Sequence, residues 1–349
     1  MAKRSVAETS VCDLGAFNAD RDDMPATQRR LSYVLITAAR NEAEFIEQTI
    51  CSVIAQSMRP RKWVIVSDGS TDGTDEIVQR YAHQHDWIEL LRMPERRDRQ
   101  FAGKAHAFNA GYSSLITHPP GTPEPGEGGS LPFDIIGNLD ADITFDPDYF
   151  SFLLSKFQLS QKLGVAGTPF REGEETYDFR FSSTDHVSGA CQLFRRECFE
   201  QIGGYVPVAG GGLDVIAVLT ARMKGWHTQT FTEKVCEHHR PMSSANFKHK
   251  FVANFKLGRR AYHVGFHPVW QVFRSIYQMS RRPYVMGGCA LFLGYFWAML
   301  CRDQRPVSQE LVDFQRRDQL KRLRVFFKRL FKSRSGSHKQ AEGRVARSE

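Results

Sequence analysis

Two carboxylates stand two residues apart in Asp140-Ala141-Asp142, directly after the apolar run FDIIGNL. Such a pair repels itself unless a cation compensates, and hard divalent ions such as Mg²⁺ or Mn²⁺ favour oxygen ligands of this kind. The pair is a candidate metal site; a solvated acidic turn capping the helix expected near Asp146-Pro147 is the plainer alternative. Two more polar clusters follow apolar runs, Arg40-Asn41-Glu42 and Asp68-Gly69-Ser70-Thr71-Asp72-Gly73, and a third, Gly103-Lys104, stands before the third expected helix. Taken singly, each is also ordinary turn or N-cap chemistry.

What makes these clusters worth reading together is where they would sit. In an open parallel sheet, ligands collect at the carboxyl ends of the strands. From Tyr33 to about Leu163, short β-branched runs alternate with longer helical patterns, which indicates βαβ units and a largely parallel sheet. Strands are expected at Tyr33–Thr37, Trp63–Ser67, Ile88–Leu91 and Ile135–Leu139, with helices over Glu44–Ala55, Thr74–His83 and Lys104–Leu115. The run HPPGTPEPGEGGS is dense in Pro and Gly and reads as a surface loop inserted before the fourth strand. Beyond it come the strand-like LGVAG and ACQLF, a helix from about Leu213 to Lys224 and a strand near Thr228–Phe231. The expected division is a flexible tail at 1–30, an α/β domain at 31–245, a helical region at 246–335 and a disordered tail at 336–349.

The order LITAARNE, VIVSDGSTDGT, GKAHAFNAG, NLDADITF, GACQLFRRECFEQIGGY and GGGLDVIAVLTARMKG resembles the family 2 glycosyltransferases with the GT-A fold, a Rossmann-like nucleotide-diphospho-sugar domain. The resemblance covers roughly Tyr33 to Arg240. It implies that Asp68 sits beside the nucleotide base and ribose with Glu42, and that Lys104 lies near the diphosphate. It also implies that Asp140 and Asp142 form the DxD motif that holds Mn²⁺ or Mg²⁺. Asp214 would be the general base of the downstream acidic motif, although Leu213 stands where Glu is usual. Some GT-A enzymes draw a third metal ligand from the region of His238-His239, so His239 is a further candidate ligand, with Arg240 near the phosphates. The donor is then a nucleotide-diphospho-sugar, a UDP-sugar favoured. A carboxylate within reach of the acceptor hydroxyl can take its proton, and a single displacement inverts the anomeric centre. Retention would need a second close carboxylate, for which the sequence shows no clear candidate beyond the acidic pair.

The composition agrees with a folded enzyme: 349 residues, 41% hydrophobic, 25% charged and 12% aromatic, which excludes disordered and fibrous classes. Forty-seven basic against 39 acidic residues leave a charge of +8, which suits nucleic acid, an anionic membrane or a phosphorylated substrate. Nucleic acid is disfavoured, because the positive charge gathers near the C-terminus rather than among aromatics across a sheet. Seven scattered cysteines without a CxxC pair, and no apolar leader after Lys3-Arg4, point to a reducing, cytoplasmic setting. The uncharged segment 284–301 lies near the length of a membrane span, and re-entrant, interfacial and buried placements all remain open. The basic amphipathic run after Gln309 suits anionic lipid headgroups. The expectation is a metal-dependent transferase at the cytoplasmic face of the membrane, acting on a saccharide or lipid-linked acceptor. A catalytically silent sugar-nucleotide-binding scaffold is the alternative.

Overall fold

The computed structural model describes residues 30–95, 102–117, 132–172, 175–176, 183–208, 210–240, 247–281 and 284–345. The N-terminal tail and the Pro/Gly-rich run lie outside the described residues. A seven-stranded sheet forms the centre, with β1 (Tyr33–Ala39), β2 (Lys62–Asp68), β3 (Ile88–Met93), β4 (Ile135–Leu139), β6 (Leu163–Gly167), β9 (Cys191–Arg195) and β10 (His227–Thr230). Their order is β10-β6-β9-β4-β1-β2-β3. Only β9 runs against its neighbours, pairing antiparallel with both β4 and β6. A second sheet, ordered β5-β11-β7-β8, is built from the short β5 (Ile143–Thr144), β7 (Phe170–Glu172), β8 (Glu175–Thr176) and β11 (Cys236–His238).

The central strands are apolar on both faces, as strands covered by helices on both sides must be. Leu35 and Trp63 point into one core with Ile46 and Ile50 of α1 (Ile46–Ile54), Val78 of α2 (Thr74–Gln84) and Phe150 of α4 (Tyr149–Leu159). Val34, Ile36 and Val66 point the other way. They meet Phe108 of α3 (Ala102–Ile116), Phe199 of α5 (Arg196–Gln201) and Ala217 of α6 (Leu213–Met223). The doubly covered, mostly parallel sheet is the GT-A architecture.

Four helices follow: α7 (Phe247–His263), α8 (Pro268–Met279), α9 (Tyr284–Leu300) and α10 (Gln309–Val345). The last continues past 335, where the sequence suggests a disordered tail; Lys339, Gln340, Ala341 and Glu342 in that stretch are good helix formers. Leu311 of α10 is buried with Ile216 and Leu219 of α6. Alongside that seam, Arg222 donates to Asp318 at 3.1 Å, and Arg322 bridges Asp318 and Asp185 at 2.8 and 2.5 Å. The helical region is thus tied to the sheet domain by an apolar contact and a row of ion pairs.

Candidate active site

The sheet order sets the stage, because β4, β1 and β2 are adjacent and end on one edge. Asp140 follows β4, Arg40 and Glu42 follow β1, and Asp68 closes β2. The acidic turn is held by its backbone from three directions. Asp140 N donates to Ala190 O at 2.9 Å and His239 N to Asp142 O at 2.9 Å, while Thr49 Oγ1 of α1 donates to Ala141 O at 2.8 Å. The carboxylates are therefore aimed by the scaffold rather than left to rotate with a loose loop.

Each acid in this cluster faces a positive group. Lys104, on the first turn of α3, pairs with Asp140, and its Nζ also lies 3.3 Å from Gly189 O. Burial works to lower the ammonium's pKa, but Asp140 outweighs it and holds Lys104 above its ordinary range. Arg240 donates to Glu42 and places its Nε 3.6 Å from Asp142 Oδ2. Burial raises the Glu42 carboxyl, Arg240 pulls it down and Asp142 pushes it up again, leaving it at about 7.

The second sheet supplies an imidazole. His238 pairs in register with Ile143, just after the acidic turn, and its Nε2 lies 3.6 Å from Asp142 Oδ1. Donor atoms of Asp140, Asp142 and His238 all fall within 4.8 Å of one another. It is His238, rather than the expected His239, whose ring reaches the acidic pair. Successive side chains on an extended backbone point to opposite sides, and the His239 ring turns to Thr144 Oγ1, 2.8 Å from Nε2. Behind His238 stands Glu172 at the end of β7, its Oε1 3.4 Å from Nδ1, with both atoms buried. A carboxylate behind a ring nitrogen fixes the tautomer and orientation of an imidazole whose other nitrogen faces a metal site. No sequence signal marks Glu172, because a three-residue strand has too short a period to register.

The loop DGSTDG divides between structure and site. Asp72 accepts from Thr74 N and Ala43 N, both at 3.1 Å, and so staples the turn after β1 to the start of α2. Burial would raise its carboxyl, but the hydrogen bond from the Thr74 hydroxyl and then these backbone bonds outweigh it and hold the pKa below the usual range. Asp68 lies on the edge of the sheet with Arg40 Nη1 at 3.8 Å. It lies one strand farther from Asp140 and Asp142 than Glu42 does.

Asp214 begins α6 behind Gly212, whose φ of +96° lies in the left-handed region that favours glycine. A Cβ added to Gly189 would stand 3.1 Å from Asp214 Cβ, and the Gly189 carbonyl is the one Lys104 approaches. This places Asp214 half-buried beside the Lys104–Asp140 pair. Leu213 is 7% exposed and packs into the core around α3 and α5, so no second acid can stand at that point of the helix without leaving the core.

Residues 34–117 match the family described as Glycosyl transferase family 2. A poly-β-1,6-N-acetyl-D-glucosamine synthase of Staphylococcus aureus is 30% identical over 135 residues, covering 38% of this chain and 27% of that protein. Its counterpart in Staphylococcus epidermidis is 28% identical over 140 residues, 40% and 28% of the two chains. The match thus takes in little more than a quarter of these relatives' length. Among solved structures, a mannosyltransferase from Pyrobaculum calidifontis in complex with GDP-Man and Mn²⁺ superposes with a TM-score of 0.51. It is 19% identical and covers 81% of this chain and 78% of that one, a likeness of fold.

Proposed function

We propose that this chain, which carries a glycosyl transferase family 2 domain, moves a sugar from a nucleotide-diphospho-sugar to a hydroxyl of a polysaccharide or lipid-linked acceptor. The transfer inverts the anomeric carbon and uses Mn²⁺ or Mg²⁺. The observation that carries this reading is the convergence of Asp140, Asp142, His238, Lys104 and Asp214 on one edge of the sheet. Two carboxylates and one oriented imidazole form a donor set that fits Mn²⁺ well and Mg²⁺ with added oxygen ligands. When bound, the ion supplies electrostatic stabilisation of the leaving diphosphate.

The chain's own groups account for the rest. Lys104 and Arg240 bring fixed positive charge to the place where phosphate oxygens would lie. Asp68, at the end of β2 beside Arg40, would face base or ribose hydroxyls together with the turn that holds Glu42. Asp214 takes the proton of the acceptor hydroxyl as it attacks. The nearby acids Asp140, Asp142 and Glu42 each face Lys104 or Arg240, which leaves Asp214 as the base and supports one displacement over two. The match to polysaccharide synthases supports a saccharide acceptor; a UDP-sugar is the donor we propose. Six free cysteines among the described residues support a reducing, cytoplasmic setting.

Calorimetric titration with UDP- and GDP-sugars, with and without Mn²⁺, tests the donor site. One donor should bind only with the metal present, and NMR of the first product should show inverted anomeric configuration. Failure of every sugar nucleotide to bind with Mn²⁺ overturns the reading. Binding without transfer to any saccharide or membrane extract favours a sugar-nucleotide-binding scaffold instead, the reading that the buried Leu213 keeps open.

A further inference from the structure

The described residues expose sixteen large apolar side chains, and all but Leu159 and Val206 lie between Val252 and Phe326. The packing of α9 shows how this comes about. A Cβ on Gly294 would stand 2.0 Å from Phe255 O of α7, one on Gly258 of α7 2.2 Å from Leu291 O, and one on Gly288 2.4 Å from Ser275 O of α8. Such close backbone approach puts the glycines and alanines of α9 inside together with Leu291 and Tyr295, and leaves most of its other bulky residues outside. Leu293, Trp297 and Leu300 are 51%, 57% and 77% exposed. A helix on a water-facing surface shows the reverse arrangement. The face continues on α8, where Val269, Phe273 and Ile276 form one exposed stripe at helical spacing. Phe273 meets Phe327 of α10 edge-on at 5.3 Å, beside the exposed Val325 and Phe326.

We propose that this face lies in the plane of an anionic membrane surface, with the side chains of α8, α9 and α10 in the headgroup and upper acyl region. A span is disfavoured by length: the 17 residues of α9 rise only about 25 Å against a hydrocarbon core of about 30 Å. No helix among the described residues is long and apolar enough to cross a membrane. Charge selects the occupant. Arg281 and Arg302 bracket α9, and Lys321, Arg324 and Lys328 of α10 are exposed. Anionic headgroups neutralise that rim, whereas a second copy docked face to face would bring two basic rims together.

The surface is distinct from the proposed donor site, so the two fail separately. Vesicles of phosphatidylcholine, with or without phosphatidylglycerol, floated with the full chain should carry it in the anionic case and far less in the neutral one. Raising salt should weaken binding without abolishing it, because headgroup attraction is screened and apolar insertion is not. Leu293→Glu and Trp297→Glu, at positions facing outward, should each lower vesicle partition by about tenfold or more while Mn²⁺-dependent nucleotide binding stays unchanged. The wild-type minus Trp297→Phe difference in quenching by brominated lipids should be greatest for bromines near the headgroups. Greatest quenching at the acyl ends, unchanged partition of both Glu variants, or a stable dimer that binds neither kind of vesicle overturns the proposal.

Discussion

At the carboxyl edge of the sheet, charged groups are sheltered and face partners of opposite sign, while in the C-terminal helices large apolar groups stand exposed among the described residues. The sheet domain buries its apolar residues on both faces, which frees the strand-end loops to hold polar groups against one another. The helical region does the opposite: it spends its tightest contacts on glycine and turns its hydrophobic surface outward. One region is built to hold charge in place and the other to meet something apolar. Mutations should therefore cost function in the first and packing or surface affinity in the second.

The sharpest break should come at the acidic pair. Asp142→Asn removes a carboxylate facing both His238 and Arg240, and transfer should fall by on the order of 10³-fold. The thermal midpoint should change little, since the lost charge leaves no apolar cavity. Full activity with Mn²⁺ would remove the metal from the mechanism. Next comes Asp214→Asn, which should lower turnover by roughly 10²-fold or more with donor affinity kept, a split that single-turnover assays can resolve. If donor affinity collapses with it, Asp214 is a binding residue.

In the helical region the matching test is Gly294→Ala. The added methyl would have to enter at 2.0 Å from Phe255 O, so α7 and α9 must separate, at a cost of about 1–3 kcal/mol. Denaturation should register the loss while Mn²⁺-dependent nucleotide binding at the sheet edge survives; equal loss of both would show that the two regions are one energetic unit. Glu172→Gln is the gentler counterpart at the site. It keeps the shape behind His238 but not the charge, and Mn²⁺ affinity measured by calorimetry should drop by about tenfold. An unchanged affinity would reduce Glu172 to a surface partner of the second sheet.

Much of the first region is legible in the sequence, because its strands are short β-branched runs and its acids stand directly behind them. The four expected strands and the intervening helices recur with ends shifted by a few residues, as with β1, which runs on to Ala39. What escapes is information carried by direction. Which of His238 and His239 faces the acids depends on the direction the chain takes at the end of β11, and that is decided by pairing with β5 and β7, remote in sequence. Glu172 depends on the same pairing. In α9, apolar residues occupy every side, so composition predicts a helix but cannot say that the glycines go inward; only the contact with α7 and α8 fixes that.

The finest distinction between the regions concerns protons. Glu42 has its carboxyl raised to about 7, first by burial and then by Asp142, against the pull of Arg240. The unfolded chain releases this proton near the ordinary carboxylate value of about 4.3, while the folded chain holds it until about 7. A raised folded value means that the contribution of Glu42 to stability is complete below the unfolded pKa and is lost as pH rises through the folded one. Denaturation in EDTA should therefore show wild type losing stability relative to Glu42→Gln between about pH 4.3 and 7, with no further relative change above that window. The same comparison with Gly294→Ala should stay level across it, since no carboxylate takes part in that contact. A wild-type minus Glu42→Gln difference that is flat over the window would mean that Arg240 holds Glu42 ionised throughout, and that the two form an ordinary ion pair beside the acidic turn.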